Sequence, residues 1–423
     1  MSAPMTATEK ILAAHAGLDH VTPGQFVNAQ VDLLLANDAT AGKVIAQFQH
    51  IGADRVFDPE RIVLVFDHYT PSNNIASATV CRQVREFARE AGGIDVVEVG
   101  KGGIEHCVLP ERGLVLPGDL IVGQDSHTCT YGGLGAFATA VGVTDTAATM
   151  ALGEIWLMVP ETIRFELEGQ VDPWTVGKDL ILHTIGRIGV DGALYKAMEF
   201  AGSAVSDLSI DSRLSLCNMG IEAGAKNAMI PPDSTTEEYL RDRAGREYDN
   251  VLSEPDARYA ALHRWDVTGL RPQVAQPFLP SNVTSIDEVD PVAIDQAVVG
   301  SCTNGRLEDL AQAAEILREH TVAQGTRLIV IPGSQEVYLE ATRLGYIEIF
   351  VKAGGAVSTP TCGPCFGGHM GILAEDEVAV STTNRNFVGR MGHPRSRVYL
   401  SNAAVAAASA VAGYLCAPEE VLS

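Results

Sequence analysis

The 423-residue chain sets 30 Lys and Arg against 53 Asp and Glu, a formal net charge of −23, with 46% apolar and 20% charged residues. Such proportions fit a chain with real cores and exclude disordered, collagen-like and coiled-coil classes, while the length implies two or three domains. A surface this acidic repels nucleic-acid phosphates and anionic lipid, and eight Cys are too sparse for a disulfide scaffold.

In chain order, MSAPMTATEKILAAHAG has no apolar stretch of secretory type, and Thr6 to Glu9 reads as a capping box opening a short helix. Short β-branched runs predict strands at 62–66, 120–123, 297–300, 328–332 and 378–381. Helical patterns alternate with them, which is α/β layering. Leu307, Leu310, Ala314 and Leu317 share one face of a helix predicted over 307–317. After Pro160, ETIRFELEG resumes as an alternating strand. The stretch 271–291, with Pro272, Pro277, Pro280 and Pro291, reads as an interdomain linker centred on 276–289. Domains are therefore expected near 1–160, 161–275 and 290–423. The Ala-rich run 403–414 falls short of the ~20 residues of a membrane span and reads as a helix packed on its own domain. Gly132-Gly133-Leu134-Gly135 lacks the dinucleotide spacing and reads as close helix packing. The chain is expected to be cytoplasmic and thiol-reducing.

Reactive residues follow the predicted strands. Asp67-His68, Gln124-Asp125-Ser126-His127, Ser301-Cys302-Thr303-Asn304 and Asn384-Arg385-Asn386 each stand just past a strand end. Parallel α/β sheets bind ligands there, so four such turns point to one shared cleft.

Cys362-Gly363-Pro364-Cys365 presents two thiols on a Gly-rich loop. A metal centre, a thioredoxin-like redox pair, half of a zinc knuckle and two buried thiols all fit that spacing. A Thr-Pro-Thr run before the pair and a double Gly after it speak against the redox reading, and no second close pair completes a zinc site. Cys302 favours a cluster: it sits in a strand-to-helix turn, where the helix dipole supports thiolate. Three thiolates hold three corners of a cubane and leave one iron open for Lewis-acid work. Cys81, Cys107, Cys129 and Cys217 read as small buried hydrophobes.

From Val378 to Pro418 there is no Asp or Glu, yet Arg385, Arg390, Arg395, Arg397 and His393 lie there. Arg forks clamp carboxylate or phosphate, so an anionic small substrate is expected, with an Arg-containing subunit interface as the competing reading. Asp67-His68 and Asp125-Ser126-His127 each set a carboxylate near an imidazole, as a proton donor to a leaving hydroxyl requires.

Six segments in order carry a family likeness: FDHYTPSNN (66–74), GQDSHTCTYGGLGAFATAVGVTD (123–145), CNMGIEAGA (217–225), VVGSCTNGRLEDL (298–310), TPTCGPCFGG (359–368) and NRNFVGR (384–390). The chain resembles the aconitase superfamily from about residue 32 to 399. More narrowly it resembles the large-subunit branch that includes 3-isopropylmalate dehydratases and homoaconitases. The resemblance implies three α/β domains around a central cleft, with the fourth, swivelling domain on a separate small subunit that also brings the catalytic serine. It implies a 4Fe–4S cluster on Cys302, Cys362 and Cys365, with one iron open to substrate. It assigns Asp67 and His68 to protonation of the leaving hydroxyl, and pairs Asp125 with His106 and Glu222 with His127. Asn37, Asp38, Ser126, Asn218, Asn384, Arg385 and Arg390 fall at its substrate-binding positions. The implied reaction is dehydration and rehydration of a 2-hydroxy di- or tricarboxylate, most simply the isopropylmalate step of leucine biosynthesis, with homoaconitase or a dimethylmalate dehydratase as alternatives. Asn37 and Ala39 depart from the usual motif at 37–40 and put the substrate in question. An RNA-binding iron sensor, the alternative of another class, is opposed by the net charge of −23 and the absence of a basic patch beyond the Arg segment.

Overall fold

The computed structural model describes residues 3–422. Two compact units emerge, each assembled from separate stretches of chain. The first holds the chain up to Val99, Val108–Glu168 and Ala193–Asp266; the second holds Gly100–Cys107, Gly169–Gly192 and everything from Val267 onward.

The first unit contains an all-parallel five-stranded sheet in the spatial order Asp95–Val97, Ile62–Val65, Leu33–Asn37, Leu120–Gly123, Phe137–Ala140. Leu33, Leu35, Val63, Val65 and Ile121 enter one core and Leu34, Ala36, Ile62 and Leu64 another, so the sheet is buried on both faces. Near-continuous apolar strands are what a doubly covered parallel sheet requires. From Leu33–Asn37 the chain winds outward in one direction and then, from Leu120–Gly123, in the other. The carboxyl ends of these two neighbours are therefore the switch point at which such sheets open a ligand crevice. A second parallel sheet orders Asn227–Met229, Ala197–Ala201, Thr162–Glu168 and Ala261–Asp266, and Phe26–Gln30 pairs antiparallel with Glu154–Met158.

The N-terminal capping box forms as expected: Thr6 and Glu9 exchange bonds and open the helix Ala7–His15. At the helix end, His15 Nδ1 donates to the Ile11 carbonyl (2.7 Å) and Nε2 meets Asp32 Oδ2 (2.6 Å). Both partners can only accept, so the ring carries both protons. Burial opposes that charge, but the Asp32 bond outweighs it and raises the His15 pKa; burial would likewise raise Asp32, yet His15 and the Leu120 N–H hold it low. A raised imidazole pKa supports the fold below about 6.5 and a lowered carboxylate pKa supports it above about 3.9, so the pair acts in full between them. The melting temperature is expected to fall as pH rises past that window, and His15→Gln to remove this part of the fall in a pH series of melts.

The second unit is built on seven strands in the order Val283–Ser285, Gln273–Ala275, Arg397–Leu400, Val378–Ser381, Gln296–Val299, Arg327–Val330, Ala356–Val357. The last five are parallel and the first two antiparallel. The stretch read as a linker is thus partly sheet: its prolines flank the three-residue strands rather than interrupt them. Gln296–Val299 and Val378–Ser381 lie side by side where the winding reverses, making a second switch point. The helices Leu307–Leu317 and Ala403–Ala412 cover this sheet in one core, and the Ala-rich helix is buried rather than membrane-seeking. No helix among the described residues is long and apolar enough to cross a membrane.

Candidate active site

In the first unit the reactive turns meet at the switch point. Asn37 closes one strand, Asp67 and His68 follow the next, and Asp125 follows Leu120–Gly123. The His68 Nδ1 lies 2.6 Å from Asp67 Oδ1, and its Nε2 lies 3.7 Å from Asp125 Oδ2. Asp67 is fully buried, so it holds the ring by one short bond in a low-dielectric setting. Asp125 also accepts from Asn37 Nδ2 (3.5 Å) and from the His127 N–H (2.8 Å). His127 Nε2 reaches Glu222 Oε1 at 3.2 Å, and its Nδ1 lies 3.4 Å from Ser126 Oγ. The Asp67–His68 and His127–Glu222 pairs expected from the sequence are both in contact.

Local chemistry explains these positions. A Cβ on Gly123 would stand 2.2 Å from Thr128 Oγ1, so only Gly lets the 124–128 turn fold back over the strand end. Thr128 Oγ1 then donates to the Asp125 carbonyl (2.7 Å). Gly132 and Gly133 allow close approaches to the Ala228 and Leu214 backbone, where a Cβ would stand 1.7 and 2.9 Å away, as the close-packing reading expects.

Two residues expected at substrate-binding positions also brace the turns of the site. Asp38 Oδ1 accepts the His68 N–H (2.8 Å) and the Asp67 N–H (3.4 Å), while Oδ2 accepts the Tyr69 N–H (2.8 Å). Burial, then repulsion by Asp67, pushes the Asp38 pKa up against those bonds. Its carboxylate therefore shapes the turn that presents His68. Asn218 Nδ2 donates to Thr130 Oγ1 (2.8 Å), which itself donates to the His127 carbonyl (2.6 Å), so it braces the His127 loop.

The second unit carries the three thiols expected to bind a cluster. Cys302, Cys362 and Cys365 are only 4%, 6% and 2% exposed. One amide joins two of them: Asn384 Nδ2 donates to Cys302 Sγ (3.2 Å), and Cys365 Sγ donates to Asn384 Oδ1 (3.0 Å). Cys302 lies in a four-residue helix, Ser301–Asn304, too short for the dipole effect expected from the sequence. What aims it is backbone strain: Ser301 holds φ +71, and a Cβ on Gly300 would meet the Ile331 carbonyl at 2.6 Å. Gly363, at φ +58, turns the Cys362–Cys365 loop.

Arg306, unmarked in the sequence reading, is 3% exposed and binds the carbonyls of Cys302 (2.9 Å), Thr303 (3.2 Å) and His106 (2.9 Å). His106 is buried, with Nε2 3.7 Å from Glu105 Oε1. Arg385 and Arg390 are half-buried on the turn after Val378–Ser381, and the buried Arg390 Nε has no hydrogen-bond partner among the described residues. Such a donor fits an anionic guest. Of the remaining thiols, burial pushes Cys81 up to about 11, Cys416 up to about 12 and Cys217 well above the usual range, which makes them inert.

Over residues 9–413 the sequence matches the family described as "Aconitase family (aconitate hydratase)". The chain belongs to the aconitase family. The 3-isopropylmalate dehydratase large subunit of Moorella thermoacetica is 60% identical over 418 residues, covering 99% of both chains. That of Halothermothrix orenii is 58% identical, over 99% of this chain and 100% of its own. Large subunit 1 of the same enzyme from Pyrococcus furiosus is 56% identical over 420 residues, 99% of each. The holo-form structure of Thermococcus kodakaraensis aconitase X shares 14% identity over 90% of this chain and 89% of its own, at TM-score 0.49. The family likeness read from the six motifs is confirmed. Aconitase-family membership implies an iron–sulfur cluster, and the donor set fits one: three buried soft thiols, two bonded to one amide, on Gly-rich turns.

Proposed function

We propose that the chain is the large, cluster-carrying subunit of a hydro-lyase that interconverts 2-hydroxy acid isomers by dehydration and rehydration, with isopropylmalate as substrate. The observation that carries this reading is the buried thiol trio, two members of which share Asn384, in a chain whose relatives over their whole length are isopropylmalate dehydratase large subunits. Cys302, Cys362 and Cys365 would hold a 4Fe–4S cluster. When bound, such a cluster supplies a Lewis-acidic iron that weakens the carbon–oxygen bond of the hydroxyl.

The chain's own residues do the rest. His68, oriented by Asp67, holds the proton given to the departing hydroxyl. His127, on Glu222, and His106 orient the reacting groups, and Asp125 couples His68 to His127. Arg385 and Arg390 clamp the substrate carboxylates and stabilise the charge that develops when the weakly acidic proton leaves. A separate small subunit supplies the closing domain and a serine base. We propose three consecutive domains within these interleaved units, near 1–160, 161–275 and 290–423; the five-stranded sheet lies within the first and the four-stranded sheet within the second, while the seven-stranded sheet adds Gln273–Ala275 and Val283–Ser285 to strands of the third. We place the enzyme in the cytoplasm.

The deciding experiment reconstitutes the chain anaerobically with iron and sulfide, adds the small subunit, and follows the ultraviolet absorbance of the unsaturated acid. Turnover of 2-isopropylmalate in preference to homocitrate, citrate and 2,3-dimethylmalate is expected; exclusive turnover of one of the others would overturn the substrate. Activity is also expected to vanish in air and return with Fe(II) and thiol, and an enzyme indifferent to air would sink the cluster assignment.

A further inference from the structure

A lysine buried in the second unit has no part in the reading so far. Lys178 stands in the first turn of the helix Gly177–Ile188 and is fully buried. A cation there opposes the helix dipole, and burying it adds a desolvation cost. Capping does not need it. The neighbouring Asp179 accepts the Val176 N–H (2.8 Å) and the Gln273 N–H (2.8 Å), and takes a third bond from Asn402 Nδ2 (3.0 Å).

The Lys178 ammonium reaches past the helix to the turn after Val378–Ser381. Its Nζ donates to the carbonyls of Thr382 (3.0 Å) and Thr383 (2.7 Å), the two residues before Asn384. The Thr382 carbonyl also accepts from Thr303 Oγ1. Thr382 Oγ1 accepts the Gly300 N–H (2.9 Å) and donates to the Gly300 carbonyl (2.8 Å). The turn carrying Cys302 and the turn carrying Asn384 are thus laced together, with the lysine as charged donor. Two successive carbonyls at a strand end have no ladder partner, and buried acceptors left so are costly.

We propose that Lys178 is the positioning residue of the thiol site: its ammonium fixes the Thr382–Thr383 carbonyls and so holds Asn384 between Cys302 and Cys365. This rests on the proposed function only in naming those thiols as the cluster ligands. The test therefore reads thiol protection in the cluster-free full-length chain as well as turnover of the reconstituted enzyme.

Lys178→Met keeps length and removes donor and charge. In native-state alkylation with iodoacetamide, followed for each cysteine by mass spectrometry, Cys302 and Cys365 are expected to react about tenfold faster, as two buried acceptors lose a partner. Cys81 and Cys217, in the first unit, should not change. Asp179→Asn is the control: it weakens the same helix without touching Thr382 or Thr383, and should lower the melting temperature without selective exposure of the two thiols. Lys178→Gln, which keeps a donor, should restore most of the protection and of the iron retained on reconstitution.

Unchanged thiol rates in Lys178→Met overturn the proposal. So does equal acceleration at every cysteine, or the same selectivity in Asp179→Asn. If Lys178→Met does not fold, Lys178→Gln is read alone against Asp179→Asn, with a two- to threefold selective acceleration expected; a chain unfolded by both substitutions assigns the lysine to the core and also overturns the proposal. Selective exposure with no turnover of any hydroxy acid would leave Lys178 in place and remove the proposed function instead.

Discussion

Cys302→Ser is expected to yield a folded chain that retains little iron or sulfide after anaerobic reconstitution and turns over at least about 10³-fold more slowly with its small subunit. Lewis-acid polarisation supplies several kcal/mol of transition-state stabilisation, and each 1.36 kcal/mol is tenfold in rate, so losing it costs on the order of that factor. A serine oxygen is a harder donor than thiolate and does not replace it at an iron–sulfur centre. Position compounds the loss, because the strained Gly300–Ser301 turn aims this one side chain at Asn384. Cys81→Ser is the matched control. Its thiol is equally buried, but it lies between Ser72 and the Asp38 carboxylate, where a hydroxyl also finds partners. That variant should keep full iron content. Iron, sulfide and visible absorbance measured on both variants decide the matter, and a Cys302→Ser chain with a normal cluster would exclude Cys302 as a ligand.

The sequence was legible where function falls at the ends of buried parallel strands. Apolar runs such as 62–66 and 378–381 announced the strands, and the polar residues after them, Asp67-His68 and Asn384-Arg385, announced the turns. Asn384-Arg385 follows a strand at a switch point and Asp67-His68 follows the strand beside one, where the chain leaves room for a ligand. Charges that do their work while buried were not legible. Lys178, Arg306 and the turn-shaping bonds of Asp38 are invisible in a linear reading, because a lysine or arginine near a helix start reads as solvated surface. Only three-dimensional partners, backbone groups prominent among them, give these residues meaning. The interleaving of the two units escaped for a related reason. Segments Gly100–Cys107 and Gly169–Gly192 join the second unit through packing and backbone bonds, such as Ile104 N–H to the Gly333 carbonyl, which no composition shift marks.

His68→Asn is expected to lower turnover by about 10²- to 10⁴-fold, the usual worth of a positioned proton donor, while leaving iron content and melting temperature near those of the parent. The ring makes a short 2.6 Å bond at Nδ1 with the buried Asp67, and its Nε2 faces Asp125 at 3.7 Å, longer than a hydrogen bond. Asp67→Asn should approach the same loss without deleting the imidazole, because an amide no longer fixes which ring nitrogen carries the proton. Asp38→Asn should act more gently, about 10- to 100-fold, as an outer partner that only orients the group doing the work. Its amide nitrogen would face a backbone N–H where a carboxylate oxygen now accepts one, so the turn that presents His68 must shift. A graded series, with kcat falling from Asp38→Asn through Asp67→Asn to His68→Asn at nearly constant iron content, is the signature of a proton donor held by two successive carboxylates. Equal losses in all three accompanied by loss of iron would instead make the cluster's surroundings, and not proton transfer, the business of these residues.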